Sequence, residues 1–200
     1  TDDLLIMNIL VTGGAGFIGT NLSNELRSRG NDVKTLDIKP DASLAHERID
    51  VTYYEQLARY FQKHEFDVVY HLAAEYGRWN GEDHYDNLWR VNVVGLKNIL
   101  RLQQKYGFQL VSFSSAEVYG DYSGVMSEDI MDNIPIKQMN DYAISKWAGE
   151  LQCLNHAEMF GSEIVRVRPV NCYGPHEYYD RYRGVVPIFV HKCLMGEKFT

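Results

Sequence analysis

Cysteine is scarce in this sequence: there are three, Cys153, Cys172 and Cys193. An odd number without C-x-x-C spacing argues against a disulfide framework and fits reduced thiols in a cytoplasmic protein. The seven histidines form no H-x-x-x-H or comparable cluster, so no metal site is expected. Lysine and arginine are scattered rather than massed, and the formal net charge is -7 with a pI ≈ 5.5. That balance argues against a nucleic-acid partner. No apolar stretch has the length needed to cross a bilayer, so no membrane partner is expected either. Thr1 to Met7 lacks the basic region and small-residue cleavage site of a signal peptide, and Met7 could itself be the natural start. There is no internal repeat and no low-complexity tract.

What is present is enough apolar material for one domain with a core, 45% of 200 residues. Met7 to Val11 is apolar and β-branched, a buried strand. Phe17 to Arg29 carries apolar residues at helical spacing and stops at Gly30. Further strands are expected at Val33 to Ile38, Asp67 to Leu72, Phe108 to Phe113 and Glu163 to Val167. Further helices are expected at Tyr53 to Lys63, Leu88 to Tyr106 and Tyr142 to Phe160, with another opening at Val185. Strands that alternate with helices imply a parallel sheet covered on both faces, because parallel strands need crossovers. Gly120 to Asn140 shows no periodicity and is either a flap over a site or a surface loop.

Between the first strand and the first helix stands V-T-G-G-A-G-F-I-G, with Gly13, Gly16 and Gly19 three apart. In such a turn one glycine permits a tight bend, the next lets a ligand approach the backbone, and the last lets helix and strand pack closely. The helix N-terminus then offers N–H groups to a pyrophosphate. Asp37 ends the second strand about 20 residues on, the distance at which a carboxylate meets the ribose hydroxyls of an adenosine and disfavours a 2′-phosphate. NAD is therefore favoured over NADP, although Lys39 lies nearby. The other reading makes Asp37 a turn-forming residue before Pro40. Asp50 and Val51 follow a second loop at the same sheet edge and are within reach of the adenine.

Tyr142 and Lys146 lie four apart in Y-A-I-S-K and share a helix face. A phenol is a poor base at neutral pH, and a neighbouring ammonium lowers its pKa. F-S-S-A-E-V-Y-G, Phe113 to Gly120, leaves a strand at its C-terminal end, where open parallel sheets bind ligands. It brings Ser114, Ser115 and Glu117 to that rim. These segments, with H-L-A-A at 71–74 and R-P-V-N-C-Y-G-P at 168–175, occur in an order and at separations that resemble the extended short-chain dehydrogenase/reductase family of nucleotide-sugar epimerases, dehydratases and decarboxylases.

The resemblance implies a Rossmann-type doubly wound parallel sheet with bound NAD. It also implies a smaller C-terminal substrate domain, here largely missing because relatives continue well beyond Thr200. Residues 1–170 would be the NAD-binding domain and 171–200 the start of the substrate-binding region. The resemblance places Gly13, Gly16, Phe17, Ile18 and Gly19 at the pyrophosphate, and Asp37, Asp50 and Val51 at the adenosine. Leu72, Ala73, Ala74 and Asn92 would lie beside the cofactor. Ser115, Tyr142 and Lys146 match the catalytic triad: Tyr142 the base, Lys146 its tuner and a ligand of the nicotinamide ribose, Ser115 the group that orients the sugar hydroxyl. Asn171 matches a contact to substrate phosphate or sugar. A homodimer through the helices Leu88–Tyr106 and Tyr142–Phe160 is implied as well.

Within the family the strand end is a hybrid. Ala116 cannot protonate a leaving hydroxyl, which argues against the thymidine-linked glucose dehydratases, and Ser115-Ala116 resembles a galactose-type epimerase. Glu117 resembles the uronate decarboxylases and guanosine-linked dehydratases, or is an acid without chemistry. Glu75-Tyr76-Gly77-Arg78-Trp79 would lie near the sugar, with Glu75 and Arg78 as candidate substrate contacts; Arg78 either pairs with a carboxylate or phosphate or stands at the surface. The expected activity is C4 epimerisation of a nucleotide sugar. Decarboxylation and 4,6-dehydration are the alternatives within the family, and a silent NAD-binding module is the alternative outside it.

Overall fold

A computed structural model describes residues 6–43, 45–182 and 184–198. Six parallel strands form one sheet in the order β3-β2-β1-β4-β5-β6. The strands are β1 (Asn8–Thr12), β2 (Asp32–Asp37), β3 (His46–Arg48), β4 (Val68–His71), β5 (Gln109–Phe113) and β6 (Ile164–Val167). β1 lies at the centre, with Ile9 paired to Val33 on one side and to Val68 on the other. The chain runs outward from β1 to β3 and then crosses back to β4. The order therefore reverses between β1 and β4, and a crevice opens there at the carboxyl ends of the strands.

Alternation along the strands supplies two apolar faces. Leu10, Leu36, Val69 and Leu110 point to one side, where they pack against Leu57, Ile99, Leu100 and Cys153. Ile9, Val11, Val33 and Val68 point to the other, against Leu26. The helices that supply these partners are α1 (Phe17–Ser28), α2 (Tyr54–Phe61), α5 (Leu96–Tyr106) and α7 (Asp141–Phe160). Burial of the fully enclosed leucines, each contributing on the order of 2 kcal/mol, is what holds the layers together.

Three elements differ from the sequence expectation. β3 is an added edge strand of three polar residues, held by pairing to Thr35–Asp37 and by a 2.9 Å contact between Thr35 Oγ1 and His46 Nδ1. The expected helix from Leu88 is interrupted: α4 (Tyr85–Trp89) runs into a π-helical turn, Arg90–Gly95, before α5. The extra residue per turn fits the packing, since Gly95 lies so near Val51 that a Cβ there would stand 2.8 Å from Val51 Cγ2. Arg78–Asp83 forms a short helix, α3, where none was expected. The stretch from Gly120 to Asn140 holds one helical turn, α6 (Ile130–Asn133), and the chain then reaches α8 (Val185–Met195). Among the described residues no helix is long and apolar enough to cross a membrane. The expectations for Thr1 to Leu5 lie outside the described residues, as does Thr200.

Candidate active site

The turn after β1 is wound tightly by its own backbone and by β2. Gly14 N donates to Leu36 O at 3.1 Å, Gly16 N to Gly13 O at 3.1 Å, and Ala15 N to Asp37 Oδ2 at 3.1 Å. Gly13 has φ 71, and a Cβ on it would stand 2.7 Å from Ala73 N. A side chain there is excluded by both backbone angle and space. A Cβ on Gly19 would collide with Gly13 O, so helix and turn touch at that point. Gly14, unassigned in the sequence, packs just as closely: its Cβ would stand 2.5 Å from Thr35 Cβ. Gly16 differs, since a Cβ there meets only Gly13 O, at 3.2 Å. It faces open space.

That space is a cleft of ≈ 940 Å³. Gly13, Gly16, Phe17, Ile18 and Gly19 form its floor beside the first turn of α1; Asp37, Asp50 and Val51 line one end, and Leu72, Ala73 and Ala74 one wall. A floor of bare backbone at a helix N-terminus, with a carboxylate at one end, suits a dinucleotide in size and chemistry. Asp37 lines the cleft, and its Oδ1 accepts from Lys39 N at 2.9 Å as a turn former does. Asp50 similarly accepts from Thr52 N at 2.8 Å.

The opposite end collects Ser115, Glu117, Tyr142 and Lys146 in the same lining. Asn140 builds this end. It caps α7 by accepting from Ala143 N at 2.8 Å, and its Nδ2 donates to Glu117 Oε2 at 3.1 Å. The first turn of α7 then brings Tyr142 to the same lining as Ser115. Burial pushes the Tyr142 phenol up, the Ser115 hydroxyl opposes this, and the charge of Glu117 adds to it. Burial lowers the Lys146 ammonium to about 8. Its Nζ donates to Phe113 O at 2.9 Å and lies 5.9 Å from the Tyr142 ring centre. The expected lowering of the phenol by Lys146 is therefore not what this arrangement shows; burial is the largest influence on it.

Two assigned residues lie elsewhere. Arg78 is exposed at the start of α3, outside the cleft lining, with its guanidinium 5.1 Å from the Trp79 ring. A solvated, stacked cation at a helix start has no reason to turn inward, so the surface reading of Arg78 replaces the substrate reading. Asn92 is buried beneath the cleft rather than in its wall. Its carboxamide is fully engaged: Oδ1 accepts from Glu75 N at 2.9 Å, and Nδ2 donates to Glu75 O at 3.0 Å and to Ser145 Oγ at 3.0 Å. It positions the segment after β4 and stands outside the cleft lining. Glu75 does line the cleft, and Asn171, exposed with φ 40, stands at its rim.

The sequence reading missed several supports. His71 is buried, with Nδ1 2.8 Å from Thr12 Oγ1, which also accepts from Ala73 N at 3.3 Å. Burial, aided by the Lys146 charge, lowers its pKa to about 3, so the ring is neutral. Glu150, 2% exposed, binds Arg166 at 3.1 Å and Arg168 at 2.8 Å. Arg168 also donates to Tyr119 Oη and to Glu128 O, both at 2.9 Å. It thereby ties β6, α7 and the stretch after Gly120 together. Of the two readings of that stretch, the structure favours a cover, since Met126 and Met139 line the cleft. A buried acid inside a helix, and two arginines two apart at and just after one strand, were the available signals.

A parallel sheet of this order, a glycine turn at its switch point and a Ser–Tyr–Lys set at the rim define a dinucleotide-dependent α/β enzyme class. The chain belongs to the NAD dependent epimerase/dehydratase family, whose profile it matches over residues 9–200. NAD is the cofactor of that family. The chain is 33% identical over 198 residues to a UDP-N-acetyl-alpha-D-glucosaminuronate decarboxylase of Bacillus cytotoxicus, covering 94% of this chain and 61% of the relative. It is 31% identical over 202 residues to a putative UDP-glucose 4-epimerase of Methanocaldococcus jannaschii, covering 94% and 64%. The solved Thermus thermophilus UDP-glucose 4-epimerase in complex with NAD superposes with TM-score 0.85 at 29% identity, covering 96% of this chain and 64% of that one. The chain thus spans less than two thirds of the length of these relatives.

Proposed function

We propose that this chain is the NAD-binding part of a nucleotide-sugar epimerase that acts through a transient 4-keto sugar. The observation that supports this most is the convergence of Ser115, Tyr142 and Lys146 on one cleft with the glycine turn. Gly13, Gly16, Phe17, Ile18 and Gly19 would hold the pyrophosphate, Asp37, Asp50 and Val51 the adenosine, and Leu72 to Ala74 the neighbouring face. Bound there, NAD supplies reversible two-electron chemistry at the sugar carbon. Tyr142 takes the proton of the C4 hydroxyl and returns it when the hydroxyl re-forms on the opposite face. Ser115, in the same lining as Tyr142, orients that hydroxyl. Lys146, an ammonium below about pH 8, contacts the nicotinamide ribose. Glu75 and Asn171 contact the substrate.

Dehydration is disfavoured because Ala116 has no proton to give a leaving hydroxyl. Decarboxylation stays as the second reading on account of Glu117, which Asn140 holds in the cleft lining. A catalytically silent NAD-binding module is disfavoured by the complete Ser–Tyr–Lys set. Residues 171–200 would begin the substrate-binding region. A cytoplasmic homodimer would pair α5 and α7, where Ile144, Leu151 and Leu154 are exposed. The test is product mass after incubating the full-length protein with a panel of UDP-, dTDP-, GDP- and CDP-sugars. Unchanged mass with inverted C4 supports epimerisation; loss of water or of CO₂ overturns it in favour of an alternative.

A further inference from the structure

We propose that the sugar end of the cleft selects an uncharged hexose over a hexuronate, and that Glu75 makes the choice. The inference rests on the reading of the cleft as a nucleotide-sugar site and narrows the substrate. Glu75 is held from both ends. Its backbone is clamped by Asn92, whose Nδ2 reaches Ser145 Oγ, and that hydroxyl donates to Tyr142 O at 2.8 Å. Its carboxylate accepts from Asn80 Nδ2 at 2.9 Å and from Asn87 Nδ2 at 2.6 Å, and both asparagines line the cleft. Next to Asn80, a Cβ on Gly81 would stand 3.7 Å from Tyr142 Cβ. Helix α3, which supplies Asn80, thus packs against the helix that carries the base.

Both anchors are neutral carboxamides, and none of the ion pairs among the described residues includes Glu75. A carboxylate has about four acceptor directions, and the asparagines take two. The remaining ones accept O–H donors, which a hexose supplies. A hexuronate replaces one such donor with a second carboxylate, which has no proton to give and carries charge of the same sign. Among the described lining residues the cations are Lys39, beside Asp37 at the far end, and Lys146, whose ammonium donates to Phe113 O. The Lys146 ammonium is thus already engaged, and Glu117 adds a second negative charge to the same lining. The named relatives do not decide the matter, since one carries a uronate in its name and another a hexose.

The test is calorimetric titration of the full-length, NAD-loaded protein with two matched pairs, UDP-glucose against UDP-glucuronate and dTDP-glucose against dTDP-glucuronate. The hexose is expected to bind at least about 10-fold tighter than its uronate in one pair, the scale of a mismatched polar group. Glu75→Gln is expected to shrink that ratio to about threefold while NAD affinity is unchanged, because shape is kept and charge removed. Equal or tighter uronate binding by the wild-type protein overturns the proposal, with no variant needed. A ratio unchanged in Glu75→Gln overturns the assignment to Glu75. The expected ratio without chemical turnover defeats the reaction assigned above and leaves the selection standing; no binding of any of the four defeats both.

Discussion

Tyr142 and Lys146 are shifted in opposite directions by one cause. Burial raises the phenol and lowers the ammonium, so each is pushed toward its neutral form. His71 shows the same effect, with a ring lowered to about 3. The consequence for stability has a definite sign. Above pH 6.5 the ring is neutral folded and unfolded, and it makes no difference. As pH falls below 6.5 the unfolded chain takes up a proton that the folded chain refuses until about pH 3. Stability should therefore drop by about 1.4 kcal/mol per pH unit in that window. Denaturant midpoints of wild type and His71→Gln between pH 7 and pH 4, sampled about every half unit, measure this. The wild-type lead, present at neutral pH through the Thr12 contact, should narrow as pH falls; a constant gap contradicts the account.

At the scale of elements, the glycine turn separates packing from binding. Gly19→Ala forces a Cβ against Gly13 O, so the first turn of α1 must shift, and a loss of about 2 kcal/mol or more is expected. Gly16→Ala adds its methyl toward the cleft instead. Its unfolding midpoint should stay within about 1 kcal/mol of wild type while NAD affinity falls at least about 10-fold. Thermal unfolding with and without NAD distinguishes the two. This division was only partly legible in the sequence. The spacing of Gly13, Gly16 and Gly19 located the turn, but the need for Gly14 comes from Thr35 on the neighbouring strand, which spacing does not reveal. The long strands and helices were legible because apolar periodicity is read directly from residues such as Leu10, Leu57 and Leu100. β3 was not, since three polar residues carry no alternation. The π turn was not either, because one extra residue leaves the apolar pattern around Val91 and Leu96 nearly intact. Arg78 was misplaced for a related reason: sequence proximity to H-L-A-A does not say which way α3 aims a side chain.

At the scale of the whole molecule, Glu150 joins parts of the chain that contact order keeps apart. Its carboxylate, 2% exposed, is shared by Arg166 and Arg168, and Arg168 continues to Glu128 O. Arg168→Met would leave a buried charge with one partner. A stability loss of about 3 kcal/mol is expected, with earlier proteolysis in the stretch after Gly120. Loss of under about 1 kcal/mol in a denaturant titration would show that the carboxylate finds another partner.

The most direct measurement of the central claim is turnover of a nucleotide hexose by full-length, NAD-loaded Tyr142→Phe, with NAD affinity recorded alongside. The account predicts NAD affinity within about twofold of wild type and kcat lower by about 10²- to 10⁴-fold, the range for a lost proton-transfer group. Turnover at the wild-type rate by the phenylalanine variant would contradict it.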